Sequence, residues 1–305
     1  MENVIKDIFN SENIPFDNIE KATSGFTNLV YFVDDKYVIK MSKDKSIKQK
    51  LDKEISIYKN IIIDCIPKYI ASGMIEDYKY LIITKVRGKS LYSIWHTLTQ
   101  DERRIVVKQI ANILKQFNGA DYNFLNSEYV DFDWVDYMKK ELSTKVVVLS
   151  EIMGLNAQNV DNFIKNDLER LFGENEFSLV YNDAHFDNFI YDNGRLSLID
   201  FDRVRVCPID YEMLIFKTMC DNPSKFASEA DEDKIKDEDY IGIYEQFKVE
   251  YPEIFKNKDV EKRIAVYQFN YLMGQAIKCK NHKWANELLE KFNNLIDNER
   301  KRYFE

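Results

Sequence analysis

The chain has 305 residues, of which 45% are hydrophobic and 14% aromatic, and carries a formal charge of −9. That length is long for one domain and comfortable for a two-lobed enzyme, and the apolar content excludes a disordered chain. The acidic balance excludes a general nucleic-acid binder, which needs a basic face, and suits a cationic partner or simply a soluble surface.

Val4, Ile5, Ile8 and Phe9 fall on one face of an opening amphipathic helix. Ala22 to Val33 reads as strand, turn, strand, with Ser24 and Gly25 in the turn. A second turn at Asp34 and Asp35 leads into a strand ending Val38-Ile39-Lys40. A glycine-containing hairpin followed by a strand that ends in lysine is a layout that covers nucleotide phosphates and points an ammonium at them. One glycine in a hairpin is also ordinary turn geometry, so the weight rests on a carboxylate able to meet the lysine. The helical pattern from Ile47 to Ile61 sets Glu54 within an apolar stripe, where it can clamp Lys40, with Asp52 as the neighbouring alternative. Tyr80 to Thr84 reads as a strand, and Lys85-Val86-Arg87-Gly88 as the turn that leaves it.

Beyond residue 90 the pattern is helical. From Asp101 to Phe117, Ile105, Val106, Ile110, Ile113, Leu114 and Phe117 form a core-facing stripe behind an acidic start, and Asn118-Gly119 stops it. Asp136 to Ile152 and Ala157 to Leu171 read as two more helices.

Leu179-Val180 then ends a short apolar strand, and Phe189-Ile190-Tyr191 begins another. Asp192-Asn193-Gly194 is a hairpin signal, and the strand from Arg195 to Ile199 returns Asp200 to the same end. Asp183, Asn188 and Asp200 therefore converge through local pairing alone. This is what phosphoryl transfer requires: a carboxylate beside the attacking hydroxyl, with an amide oxygen and a second carboxylate for a hard cation such as Mg²⁺. After it, Pro208 and Asp210 read as helix-start signals, residues 221–240 carry an acidic run, and Val260 to Leu272 and Trp284 to Ile296 read as closing helices. Tyr267, Phe269, Tyr271 and Trp284 on those helices are core residues in this reading, with one or two free to line a pocket. Cys65, Cys207, Cys220 and Cys279 lack metal-like spacing, and no apolar run reaches membrane-spanning length, so a cytoplasmic protein with reduced thiols is expected.

The segment from Tyr181 to Asn188, followed by Ile199-Asp200-Phe201-Asp202, resembles the aminoglycoside phosphotransferase and choline kinase superfamily. The usual pattern there is His-Gly-Asp-Leu-His-x-x-Asn, then Ile-Asp-Phe/Trp-Asp/Glu. Asp183, His185, Asn188, Asp200 and Asp202 match, while Tyr181 stands in place of His and Asn182 in place of Gly. An Asn at 182 tolerates a left-handed backbone better than most residues. The family often has Leu-His where this chain has Phe117-Asn118.

The resemblance implies an α+β, bilobal protein-kinase-like fold with a small antiparallel β-sheet N-lobe and a mostly helical C-lobe. Residues 1–88 would form the nucleotide-binding lobe, with a hinge near 84–88 whose backbone at Lys85 and Val86 reads the base. Residues 89–305 would hold the catalytic loop 181–188, the metal segment 199–202 and acceptor-binding helices. By the resemblance, Asp183 is catalytic; Lys40, Glu54, Ser24 and Gly25 serve the nucleotide; Asn188 and Asp200 bind Mg²⁺; His185 and Asp202 support them. Asp210, Glu212, Glu229, Asp231 and Glu232 are candidates for the acceptor; Asp210 and Glu212 are otherwise helix-cap residues, and bracing of the catalytic loop is the reading favoured for Asp210. The implied reaction moves the γ-phosphate of ATP or GTP to a hydroxyl of an aminoglycoside antibiotic, in a monomer with no nucleic-acid or membrane partner. Choline, ethanolamine or another small metabolite is the alternative acceptor, and a nucleotide-binding pseudokinase the alternative of another class.

Overall fold

Alternation along the first strands decides where everything else packs. The structure, a computed structural model, describes residues 1–22, 29–125, 130, 133–226 and 232–302. Strands β1 (Ile19–Lys21), β2 (Leu29–Val33), β3 (Tyr37–Ser42), β4 (Tyr69–Ile75) and β5 (Tyr78–Thr84) form an antiparallel sheet in the order β1-β2-β3-β5-β4. With a period of two, Ile39, Met41 and Ile82 face one side, where Ile5, Ile8 and Phe9 of helix α1 (Glu2–Ser11) cover them. Leu81 and Ile83 face the other side, under Leu51, Ile55 and Tyr58 of helix α2 (Lys45–Asn60). The first strand ends at Lys21, before the expected start at Ala22, and the turn expected to hold Ser24 and Gly25 lies outside the described residues.

The chain leaves this sheet through Gly88, whose φ of 117° and close approach to the Tyr191 carbonyl exclude a side chain. Strand β6 (Lys89–Ser90) follows, then the short α3 (Leu91–Ile94) and α4 (Gln100–Asn118), which opens with a Thr99/Glu102 capping box. The buried stripe of α4 comprises Val106, Val107, Ile110, Ala111, Ile113, Leu114 and Phe117. Ile105 departs from the expectation and is 57% exposed, because α4 turns the Val106 and Val107 side to the core.

Helix α5 (Trp134–Val147) runs on into a π-helical turn at Val148–Ile152. The single helix expected from Ala157 to Leu171 is two, α6 (Gln158–Asn166) and α7 (Leu168–Phe172). They break at Asp167, where the backbone leaves helical angles and lets Leu168, Leu171 and Phe172 turn inward.

Strand β7 (Phe177–Val180) pairs with β10 (Arg205–Pro208), while β8 (Phe189–Asp192) and β9 (Arg195–Leu198) form a hairpin beside β6. The hairpin turn has Asn193 and Gly194 at φ 47° and 87°, as the dipeptide requires. Pro208 and Asp210 do open a helical run, but its first turn is 3-10. Pro208 is held in β10 opposite Phe177, a 3-10 turn spans Ile209–Glu212, and α8 (Met213–Asp221) begins only at Met213. Helices α9 (Ile243–Glu250), α10 (Val260–Lys278) and α11 (His282–Arg302) close the chain. Among the described residues no helix is long and apolar enough to cross a membrane.

Candidate active site

Lys40 lies between Ile39 and Met41 on β3, so it points to the face away from α1. There its Nζ meets Glu54 Oε1 of α2 at 2.5 Å and Asp200 Oδ1 at 2.9 Å. Burial opposes the charge on Lys40, but the Asp200 and Glu54 carboxylates outweigh it and hold the ammonium well above its ordinary pKa. Burial pushes the Glu54 carboxyl upward, against the pull of Lys40. Asp52, the alternative partner, instead pairs with Lys79.

The segment after β7 has to turn sharply to present Asp183. Asn182 takes the left-handed conformation at φ 59°, as an asparagine there allows. Glu212 fixes the turn by accepting the N–H groups of Tyr181 and Asn182 at 2.8 and 3.1 Å. The Asn118 amide donates to Glu212 at 2.9 Å and to the Leu179 carbonyl at 2.8 Å, so the Asn that replaces the family's usual residue ties α4 to the loop. Asp200 is also left-handed, at φ 64°. The segment before it is pinned by Ile199 N–H donating to the Asn188 carbonyl at 3.0 Å and by the Tyr181 hydroxyl donating to the Ile199 carbonyl at 2.6 Å.

Asp183 is thus delivered into a ring of donors. Arg203 Nη1 reaches its Oδ1 at 3.1 Å, Asn188 Nδ2 its Oδ2 at 3.1 Å, and His185 Nε2 stands 3.6 Å from Oδ2. Burial would raise the Asp183 pKa, but His185 first and then Arg203 overcome it and keep the carboxyl below its ordinary value. Asp202 behaves oppositely. Burial and the neighbouring Asp200 raise its carboxyl, while Lys50 Nζ lies 3.6 Å away.

Among the described residues there is no cluster of three His, Cys, Asp or Glu side chains set for a metal. The donor set still fits Mg²⁺, which takes only one or two carboxylates from a protein and completes its shell with phosphate and water oxygens. Asp200 offers a carboxylate with a half-exposed side chain. Asn188, whose Nδ2 is spent on Asp183, offers its Oδ1.

Next to this loop lies a cavity of about 620 Å³ lined by Lys225, Phe226, Tyr271, Trp284 and Glu287 among others. Two of its wall residues meet partners of Asp183. Tyr271 lies against the Arg203 guanidinium, and the Phe226 ring is 6.1 Å from His185. Tyr267 and Phe269 are core, whereas Tyr271 and Trp284 form cavity wall.

The expected acceptor residues fare differently. Asp210 and Glu212 are buried: Asp210 pairs with Arg263 Nε at 2.5 Å, and Glu212 accepts the backbone N–H groups of Tyr181 and Asn182. Of the two, Glu212 is the one whose carboxylate meets the loop, whereas Asp210 is paired with Arg263 and Tyr267. Glu232 sits exposed at the start of a 3-10 turn, while Glu229 and Asp231 lie outside the described residues. Lys85 pairs with Asp35, and its own N–H is taken by the Lys36 carbonyl. Nothing in the local sequence gives Arg203 or Tyr271 a chemical role. Arg203 sits in an unremarkable Asp-Arg-Val-Arg-Val alternation, between the Asp200 segment and β10, whose pairing with β7 begins two residues later.

A family model described as a phosphotransferase enzyme family matches residues 18–238. Among solved structures, the chain is similar to aminoglycoside 2'-phosphotransferase-IIIa in its GDP complex, with 16% identity, 97% of this chain and 98% of that chain covered, and a TM-score of 0.67. It is also similar to the gentamicin complex of APH(2")-IIa, at 19% identity, 96% and 95% coverage and a TM-score of 0.64. Macrolide 2'-phosphotransferase MphH from Brachybacterium faecium matches at 9% identity, 94% and 98% coverage and a TM-score of 0.61. At these identities the likeness establishes a shared fold, a small antiparallel sheet joined to a mostly helical part.

Proposed function

Because the chain belongs to the phosphotransferase enzyme family, we propose that it transfers the γ-phosphate of ATP or GTP to a hydroxyl of a small cationic molecule, an aminoglycoside in the first instance. The observation that carries the reading is that Lys40, clamped by Glu54, meets Asp200 at 2.9 Å, at the end of the loop that holds Asp183 and Asn188 together. In this reading Asp183 orients the acceptor hydroxyl and takes its proton, with His185 and Asn188 fixing the carboxylate. Lys40 steadies the α- and β-phosphates, and Asn188 and Asp200 hold Mg²⁺, which when bound neutralises charge on the phosphates. Residues up to about Gly88 serve the nucleotide and the remainder the acceptor. With the Lys85 N–H engaged, base recognition falls to the backbone around Val86.

The aminoglycoside assignment draws support from the solved neighbours, one of them bound to gentamicin, and from the charge of −9. A second reading has its own observation. Three rings, Phe226, Tyr271 and Trp284, and one acid, Glu287, are among the described cavity residues, and Lys225 Nζ already stands 4.8 Å from the Trp284 ring centre. An aromatic wall with one carboxylate suits a single amine such as choline or ethanolamine.

The test is Mg²⁺-dependent ADP or GDP release across a panel of aminoglycosides, macrolides, choline and ethanolamine, with Asp183→Asn as control. Turnover on an aminoglycoside that disappears in the control supports the first reading, and turnover on choline alone selects the second. Tight nucleotide binding without turnover on any acceptor sinks both and favours a pseudokinase.

A further inference from the structure

Arg203 stands between the acceptor cavity and the residue expected to act as base. Its Nη1 is 3.1 Å from Asp183 Oδ1, and its far side lies against Tyr271, a wall of the cavity. The other carboxylate oxygen is already served by Asn188 and faces His185, so both oxygens of Asp183 are engaged before an acceptor arrives. The two ion pairs of this region differ in kind. Arg263 with Asp210 is sealed in the interior, whereas the Arg203 side chain is 40% exposed over an Asp183 that is only 12% exposed. The open side of the guanidinium leaves a path by which an incoming group with its own hydrogen bonds can replace it at Asp183.

We propose that Arg203 is the residue that makes phosphoryl transfer select the acceptor over water. With the cavity empty, the guanidinium holds Oδ1 of Asp183 and denies it to water. An acceptor seated against Tyr271 turns the guanidinium aside, and its hydroxyl takes Oδ1. In the suppressed reaction, a water oxygen bonds to the γ-phosphorus, and the bond from that phosphorus to the β–γ bridging oxygen breaks. The nucleoside diphosphate leaves with the bonding pair, and the water proton passes to Asp183. In the permitted reaction the acceptor oxygen replaces water and every other atom moves alike. The inference rests on the kinase reading of the site.

The experiment uses the full chain with Mg²⁺ and ATP or GTP, without acceptor, and measures nucleoside diphosphate release. Arg203→Gln is expected to raise release at least fivefold over wild type. Arg203→Lys, which keeps the charge, should release less than Arg203→Gln. The Arg203→Gln/Asp183→Asn double variant should fall back to the Asp183→Asn level, an outcome that a merely structural role for Arg203 does not produce. Should Arg203→Gln fail to fold, Tyr271→Phe, which removes the second contact to the guanidinium, is read in the same way, with at least a twofold rise. Wild-type transfer to an acceptor together with unchanged or lower release in the folded variant overturns the inference alone. A wild type that cleaves no nucleotide with or without any acceptor overturns the kinase reading, and the inference with it.

Discussion

Glu212→Gln tests how the loop from Tyr181 to Asn188 is held. The Glu212 carboxyl is fully buried and accepts three N–H groups, from Tyr181, Asn182 and the Asn118 amide. Burial, opposed first by Asn118 and then by the two backbone donors, pushes its pKa from 4.5 up to about 7. Between those two values the folded chain binds more protons than the unfolded chain. The stability from this group is therefore full below pH 4.5 and is lost as pH rises through 7. A rise of that size corresponds to roughly 3 kcal/mol, at about 1.4 kcal/mol per pH unit. Glutamine cannot ionise, so it escapes the loss. Its NH₂ must, however, face one of the N–H donors, and an unsatisfied buried donor costs about 1–3 kcal/mol at any pH. The variant should thus be less stable than wild type by about 1–3 kcal/mol at pH 5 and equal to it or slightly more stable at pH 8.5. Urea unfolding of both proteins at the two pH values measures the difference. If that difference is the same at pH 5 and pH 8.5, the three donors hold Glu212 ionised throughout and the reasoning fails.

Lys40→Ala should lower acceptor phosphorylation by about a hundredfold or more and, by leaving Glu54 buried without its cation, lower unfolding free energy by about 3–5 kcal/mol; steady-state kinetics and urea melts read the two effects separately. Asp183→Asn should reduce kcat about 10²–10⁴-fold with nucleotide affinity near wild type, and a comparable loss in nucleotide binding would contradict its place on the acceptor side. Tyr181→Phe removes the hydroxyl that holds the Ile199 carbonyl, and is expected to cost about 1 kcal/mol and raise the Mg²⁺ concentration for half-maximal activity several-fold; an unchanged Mg²⁺ titration would show that Asp200 needs no such anchor. Ile110→Ala should cost about 2–5 kcal/mol and Ile105→Ala less than about 0.5 kcal/mol, so equal shifts in melting temperature would refute the placement of α4.

Much of the loop from Tyr181 to Asn188 is legible without any tertiary structure, because its geometry is local. The Asp183-to-Asn188 spacing, the Asn193-Gly194 turn and the return of Asp200 belong to one stretch of chain, where hairpin pairing decides which end each side chain reaches. Lys40 and Glu54 are legible for the same kind of reason. Strand alternation and helical period each mark one face, and the two elements adjoin in sequence. Periodicity does not say which of two candidate faces meets the core, and so Ile105 reads as inside when it is outside. Composition cannot say whether a carboxylate finds a buried partner 53 residues away, as Asp210 does in Arg263, or two backbone donors some 30 residues back, as Glu212 does. Nor does an Asp-Arg-Val-Arg-Val alternation announce that Arg203 will cover Asp183. The sequence by itself determined the chemistry of the candidate site and the local frame of its loop. Only the tertiary structure decided which charges are buried and paired, that Arg203 meets Asp183, and where a cavity lies near the loop, because burial and ion pairing depend on surfaces brought together from distant parts of the chain.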